Sequence, residues 1–289
     1  LGSWVAFTGC DKDFDEFNKD PYAVTETELG ADYRLIGEPF INTIRNIYVQ
    51  GPAWITQLQQ NLLGDVYSGY MMPPTPFAGN SNNMNYNFVD GWNTWAWNPA
   101  YNVMSSAKFV KEKAGTDYPE FVAWMDIVKV AAMHRLSDMF GPIIYSEFGK
   151  VSDDGTILYD CQEKVYDQFF KDLDSGVAGL TKYVNDNPGA KPFAAFDEVY
   201  AGDIPKWIKL ANSMRLRLAI RISKVDPARA KAEGEKALAN TYGVITDNGD
   251  NFVVKTGLEQ PLNVMSGAWN DVRMGAPSES ILNGYNDPK

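Results

Sequence analysis

Residues 131–147 read AAMHRLSDMFGPIIYSE, and this stretch decides the fold. A helical pattern of apolar residues leads into it from residue 118. Gly141 can adopt the backbone conformation that ends many helices, and Pro142 cannot continue a helix. The stretch therefore predicts a long helix over 118–140, followed by a short apolar segment that ends at Tyr145.

A second stretch, WIKLANSMRLRLAIRIS at residues 207–223, has its own distinctive wording, and a helical pattern at 166–180 lies between the two. Together, in this order and spacing, they resemble the SusD/RagB family. In that family one long helix ends in an R-L-x-D-x-(Y/F)-G phrase, and a later helix carries W-x-K-x-A-N-S-x-R-x-R. The resemblance extends from about Cys10 to the last residue.

The resemblance implies a fold that is mainly α, built from tetratricopeptide-like helical hairpins with long loops and a few short strands. It also implies a non-catalytic lipoprotein of the outer-membrane surface that needs no cofactor. Such a protein captures an oligosaccharide, or a peptide, and delivers it to a SusC-like TonB-dependent transporter. Family members continue past the equivalent of residue 289, so the resemblance implies a helical domain over 10–289 that is incomplete at its C-terminus.

Apolar periodicity and turn residues predict the course of the chain without reference to any family. Successive helices with short turns favour stacked helical hairpins, although no 34-residue repeat is visible. A long polar loop is expected at 71–91, and short strands at 143–145 and 252–255. Helices are predicted at 33–47, 54–70, 92–113, 118–140, 163–183, 205–224, from 226 onward and at 278–282.

Composition excludes several functions. The chain has 289 residues, a net charge of −11 and a pI of about 4.6. Proteins that bind nucleic acid usually present a basic face, which such an acidic chain disfavours. The chain contains no run of about 18 apolar residues, so no membrane-spanning helix is predicted.

The N-terminus has the character of a lipoprotein signal. Residues 1–9 are a short apolar run that resembles the remnant of a signal peptide, and Phe7-Thr8-Gly9-Cys10 resembles a lipobox in which Phe7 replaces the usual Leu. This interpretation makes Cys10 the lipidated residue and anchors the protein to the outer membrane at the cell surface. The alternative is an ordinary solvated tail.

Residues 80–102 are rich in Asn, Trp and Tyr and are the main candidate for ligand binding. Flat aromatic faces suit the apolar faces of sugar rings, while amides exchange hydrogen bonds with hydroxyls. The alternative is that the aromatic residues are helix core and the Asn residues form turns. The proposed ligand-binding residues of this region are Asn83, Asn85, Tyr86, Trp92, Trp95 and Trp97.

Trp269 and Asn270 repeat this chemistry between Gly267 and Gly275. A Trp on a glycine-flanked loop can close over a ligand. We therefore add both residues to the candidate site, against the alternative that Trp269 merely anchors a surface loop.

Two other classes of function remain open. A glycoside hydrolase would need paired carboxylates, for which Asp65 and Asp90 are candidates. A tetratricopeptide-like scaffold would instead bind a protein. No catalytic residue is assigned.

Other charged groups favour structural roles. With one histidine in the chain, no metal site is predicted. Residues 247–251 resemble part of a calcium loop but lack the terminal Glu. His134 is expected to pair with Asp138 one turn away. The basic residues of 206–224 are expected to join neighbouring helices through carboxylates.

Overall fold

The structure, a computed structural model, describes residues 30–49, 51–75, 83–87, 89, 91–254 and 259–287. Residues 1–35 and 36–289 are separate units. In the first unit the described part is a 3₁₀ turn, Ala31–Tyr33, and the start of helix α1. Cys10 and its lipobox lie outside the described residues, so lipidation stays a prediction.

The second unit is predominantly helical, as predicted. Helix α2 spans 53–68 in three parts: an α segment Ala53–Thr56, a π segment Gln57–Asp65 and a final α turn Val66–Ser68. Helix α8 begins as Pro261–Asn263 and continues as a π turn, Val264–Ala268. The other helices are α1 Arg34–Ile47, α3 Thr94–Ala114, α4 Pro119–Phe140, α5 Gln162–Asp186, α6 Ile204–Ile222, α7 Pro227–Ala239 and α9 Ala276–Gly284.

Helices α3 to α7 pack in chain order, each against the next, which is the expected tetratricopeptide-like arrangement. Prolines and caps set their boundaries: Asp203 and Asp226 accept hydrogen bonds from backbone N–H groups in the first turns of α6 and α7. Helices α4 and α5 approach each other closely at Gly176. A Cβ atom on Gly176 would lie 2.7 Å from Ile127 and 2.9 Å from the carbonyl oxygen of Ala123. Glycine is therefore required where these helices cross.

Two polar residues of the stretch 131–147 connect different parts of the fold through carboxylates. Asp138 accepts a hydrogen bond from Tyr166 (2.7 Å) and pairs with Arg221 (2.8 Å), which joins α4 to α5 and α6. Beyond the helix end at Gly141, where φ is +77°, the Tyr145 hydroxyl donates to Asp172 at 2.5 Å. Asp138 and Tyr145 thus fix α4 and the segment after it against neighbouring helices.

The centre of the core is a cluster of aromatic rings around Trp124. Its indole is fully buried and stacks on Phe193 at a centroid distance of 3.9 Å. Trp207 meets it edge to face at 5.4 Å and donates its Nε1–H to Asp197 at 2.7 Å. Phe40 of α1 completes the cluster. The core therefore joins α1, α4, α6 and the loop before α6.

The strand predictions were wrong. Ile143 forms a single antiparallel bridge with Asp160, residues 252–254 are irregular, and Lys255 lies outside the described residues. The described part of the chain has one two-stranded sheet, in which β1, Met71–Met72, pairs antiparallel with β2, Arg273–Met274. Such two-residue strands are too short for alternation of apolar and polar residues to predict.

The predicted pairing of His134 with Asp138 was also wrong. The His134 side chain is buried, and its Nδ1 lies 3.0 Å from the carbonyl oxygen of Val130. Burial lowers the pKa of His134 to about 4. Asp138 is engaged by Tyr166 and Arg221 instead. The histidine is therefore a neutral core residue.

Burial of His134 predicts a loss of stability in acid. Between its ordinary pKa of 6.5 and its folded pKa of about 4, the unfolded chain binds a proton that the folded chain excludes. Lowering the pH from 7 to 5 should remove about 2 kcal/mol of unfolding free energy through this group. Urea unfolding at pH 7 and pH 5 measures this change in the free energy of unfolding. The change should be smaller by about 2 kcal/mol in His134→Leu than in the wild type. Equal pH dependence in the two proteins would contradict the assignment.

Two basic residues of α6, Arg215 and Arg221, join neighbouring helices through carboxylates, as predicted. The guanidinium of Arg215 is buried and pairs with Asp174 of α5 and Glu233 of α7, and it donates to the carbonyl oxygen of Phe170 at 3.1 Å. Arg221 pairs with Asp138 of α4. These two arginines therefore have a structural role.

Arg215→Met should lower the free energy of unfolding by about 3 kcal/mol, because two carboxylates lose a buried partner. Arg229→Met is the matched control, since Arg229 also lies over the Phe170 ring but forms its ion pair with Asp167 in a more exposed position. The control should cost less than about 1 kcal/mol. Urea denaturation measures both, and similar losses would refute a special role for Arg215.

Candidate functional site

Helix α2 is the element around which the sequence-predicted site residues gather. Its π segment contacts α3 and the 3₁₀ turn Asn83–Asn85, and its first turn contacts α8. The chain on either side of α8 also contacts α2: Gln57 donates to Asp271 at 3.1 Å, and the Ala53 N–H donates to Glu259 at 3.2 Å. Segments more than two hundred residues apart in the chain thus meet at one short helix.

Trp54 and Trp95 form an aromatic pair at the N-terminal end of α2. Their ring centroids are 4.5 Å apart with planes at 87°, an edge-to-face contact. Trp54 is 39% exposed and Trp95 is half-buried. The pair therefore presents indole surface to solvent while each ring holds the other in place.

Trp97 belongs to a different cluster. Side chains two positions apart along a helix point about 200° apart around its axis, so Trp97 and Trp95 face different ways. Trp97 packs against Tyr101 (5.0 Å) and edge-on to Phe140 (5.4 Å), and it lies 6.0 Å from the exposed Tyr159. Candidate residues adjacent in sequence are therefore divided between two surfaces.

Tyr86 stacks on Tyr67 of α2 at 5.4 Å, and 77% of Tyr86 is exposed. Burial, followed by the nearby phenol of Tyr86, raises the pKa of Tyr67. Asn85 is exposed and lies in the 3₁₀ turn Asn83–Asn85, which contacts α2, and the side chain of Asn83 lies outside the described part of the structure. This places a second aromatic surface near the C-terminal end of α2.

Trp92 and Trp269 enter the site through backbone turns. Trp92 is half-buried, and its carbonyl oxygen accepts from the Trp95 N–H at 3.2 Å at the start of α3. Trp269 is 41% exposed, directly after the π turn of α8. The next residue, Asn270, is exposed with φ of +58°, a conformation that Asn tolerates better than most residues.

Two groups of site residues were missed by the sequence analysis. Trp54 was assigned to a helix but not to the site, although its partner Trp95 was. The run QLQQN at 57–61 was predicted to lie in an α-helix over 54–70, where the spacing of Leu58, Leu62 and Val66 predicts one apolar face. In the π segment Gln57, Gln59 and Asn61 are buried instead, and Leu58 is half-buried. Four amides in five residues were the available signal.

Residues 247–251, which resemble part of a calcium-binding loop, form ion pairs with lysines. The Asp250 carboxylate is bound by Lys209 at 2.6 Å and by Lys206 at 3.3 Å. The hydrogen bond from Lys209, with that from Lys206, lowers the pKa of Asp250. Asp247 caps its own turn by accepting from the Gly249 N–H. Two lysines hold the carboxylate that a cation would need, and no group of three potential metal ligands occurs among the described residues.

The described residues do not test the pairing of the two hydrolase candidates. Asp65 accepts from the Gln60 amide at 2.8 Å, and Asp90 lies outside the described residues. No described helix is both long and apolar enough to cross a membrane.

Comparison with known proteins agrees with the fold. The family model described as "Susd and RagB outer membrane lipoprotein" matches residues 16–289. A search of curated proteins finds no match. The chain is 46% identical to a chitin-binding SusD homologue from Flavobacterium johnsoniae, with a TM-score of 0.83, covering 88% of this chain and 52% of that protein. A SusD homologue from Bacteroides vulgatus is 36% identical, with a TM-score of 0.79 and coverage of 89% and 52%. The chain thus spans about half the length of these solved relatives.

Proposed function

Because the chain belongs to the SusD/RagB family of outer-membrane lipoproteins, we propose that it binds a glycan at the surface around α2 without cleaving it. The observation that carries this proposal is the edge-to-face pair of Trp54 and Trp95, whose indoles are ordered by each other yet partly open to solvent. Trp269, also partly exposed, lies on the segment that returns to the same helix.

The chemistry of this surface suits a neutral carbohydrate. Indole faces shed water readily against the C–H faces of pyranose rings. Asn83, Asn85 and Asn270 add amides that donate and accept hydrogen bonds around these rings. The 46% identical relative is described as chitin-binding, which supports a glycan rather than a peptide. In this proposal the aromatic surface on α2 is the platform, and Trp97 belongs to its own cluster.

Delivery to a SusC-like TonB-dependent transporter is the second part of the proposal. A lipid anchor at Cys10 would hold the protein at the membrane that contains such a barrel. A ligand would favour a closed complex only by binding that state more tightly than the open one.

Trp54→Ala and Trp95→Ala should each weaken binding of chitopentaose at least about tenfold, since one stacked aromatic is worth about 1.5 kcal/mol beyond simple burial. Isothermal titration calorimetry on the purified protein measures the change. Tyr159→Ala is the matched control, because it removes an exposed aromatic beside Trp97 and should leave the affinity unchanged. Loss of affinity in the control alone would move the site to the Trp97 cluster.

The same experiment separates binding from hydrolysis. Chitopentaose recovered intact after prolonged incubation is expected. Turnover that disappears in Asp65→Asn would instead support the hydrolase alternative.

Cys10→Ser should release the protein from the membrane fraction when it is expressed with its complete natural signal sequence. Loss of the lipid removes roughly 0.8 kcal/mol of membrane affinity for each buried CH₂, which leaves no stable anchor. Fractionation and intact mass before and after the substitution measure the effect. A Cys10→Ser protein that still sediments with membranes would contradict lipid anchoring at this residue.

A further inference from the structure

A cleft of about 320 Å³ lies along the π segment of α2, on a part of the helix that the aromatic pair does not occupy. It lies between α2 and α8, and the first turn of α2, which carries Trp54 of the proposed glycan platform, also contacts α8. Its volume is at the lower end of the range for small-ligand sites and suits one small substituent or ring. The residues that characterise its lining are Tyr48, Gln59, Asn61, Asp65, Arg135 and Met265.

A guanidinium group forms one side of this cleft. Arg135 lies over the ring of Tyr48 at 4.7 Å and donates to the Ile47 carbonyl oxygen at 3.0 Å and the Gln60 amide oxygen at 2.9 Å. Guanidinium carries five N–H donors, so these two bonds orient it without using all of them. Gln60 in turn donates to Asp65. The remaining N–H donors of Arg135 are thus held in a fixed orientation beside the cleft.

Side-chain amides form the adjoining wall. Gln59 is 7% exposed and lines the cleft. Asn61 also lines it, is 1% exposed, and has no hydrogen-bond partner for either amide atom among the described residues. A buried amide in this state destabilises the fold, and a native protein that retains one is expected to use it. Rotation of the Asn61 side chain toward the cleft would make both atoms available.

The charge of the lining decides what kind of ligand fits. Arg135 and Asp65 carry opposite charges, so the cleft has no net charge to attract an ion. Met265 is almost completely buried and adds an apolar wall beside these polar groups. The matching ligand is neutral and combines a carbonyl acceptor, an N–H donor and a small apolar group.

We propose that this cleft binds the acetamido group of an N-acetylhexosamine residue in a glycan held on the Trp54–Trp95 platform. The carbonyl oxygen accepts from Arg135, the N–H donates to the amide oxygen of Gln59 or Asn61, and the methyl group packs against Met265. This inference rests on the proposed glycan-binding function and adds the feature of the sugar that is recognised.

Chitopentaose and cellopentaose test this inference, because both are β-1,4-linked and they differ in the acetamido group at C2. The quantity measured is the ratio of their dissociation constants in each variant, determined by calorimetry. At least one of Gln59→Leu and Asn61→Leu, the one that removes the acceptor of the acetamido N–H, should reduce the preference for chitopentaose about tenfold, the effect of one lost hydrogen bond, with little change for cellopentaose. Gln168→Leu is the control and should leave the ratio unchanged, because the amide of Gln168 lies on α5 and donates to Asp172.

Stability measurements distinguish recognition from a structural role. Asn61→Leu removes an unpartnered buried amide, so its urea midpoint should equal or exceed that of the wild type even if its selectivity falls. Binding of both sugars with an unaltered ratio in Gln59→Leu and Asn61→Leu would overturn the acetamido assignment and leave the proposed function intact. An equal loss for both sugars would also overturn it. Failure of the wild type to bind either sugar would overturn the proposed function and this inference together.

Discussion

The position of Arg135 is the constraint on which the candidate site depends. From near the C-terminal end of α4, its guanidinium reaches the last carbonyl of α1 at Ile47 and the π segment of α2 at Gln60, with the Tyr48 ring against its face. Burial lowers the pKa of Arg135, and yet the hydrogen bonds and the aromatic ring keep the cation satisfied. One side chain thus sets where α2 lies relative to the helical array, and every proposed ligand contact lies on or around α2.

In the rest of the fold, one set of helices provides stability and other segments form the candidate site. The array of α3 to α7 is held by buried aromatic rings around Trp124 and by carboxylates that bind hydroxyl and guanidinium groups across helices. The site is built at the edge of that array, where α2, the turn Asn83–Asn85 and the returning segment near Trp269 lie around the first turn of α3, which carries Trp95. A rigid scaffold carries irregular segments whose side chains are free to face a ligand, a common separation in binding proteins.

Apolar periodicity located nearly every helix because one face of each packs on the core. The stripe of Phe121, Trp124 and Val128 is buried as its spacing predicts. The family motifs identified the fold, and Asp138 and Tyr145 within them contact neighbouring helices. Composition also indicated the region 80–102 as a candidate site, and its ligand contacts stay predictions.

Periodicity failed where the backbone departed from 3.6 residues per turn. A π segment alters which side chains share a face, so Gln59 and Asn61 became buried although an α-helical pattern placed Leu58 inward. The contact between Trp54 and Trp95 could not be predicted either, because no sequence pattern indicates that two side chains so far apart in the chain are in contact. The charge pairing of His134 failed because its environment is made by other helices and not by its own sequence neighbours.

The number of residues in the π segment determines how Trp54 is oriented relative to Trp95. In a helix, losing or gaining one residue turns everything on one side of the change by about 100° relative to the other. A deletion within 57–65 would let the backbone relax to ordinary α geometry and swing Trp54 away from Trp95 while the helical array stayed as it is. Among relatives, small insertions and deletions here would reorient the platform and diversify cargo more readily than exchanging side chains.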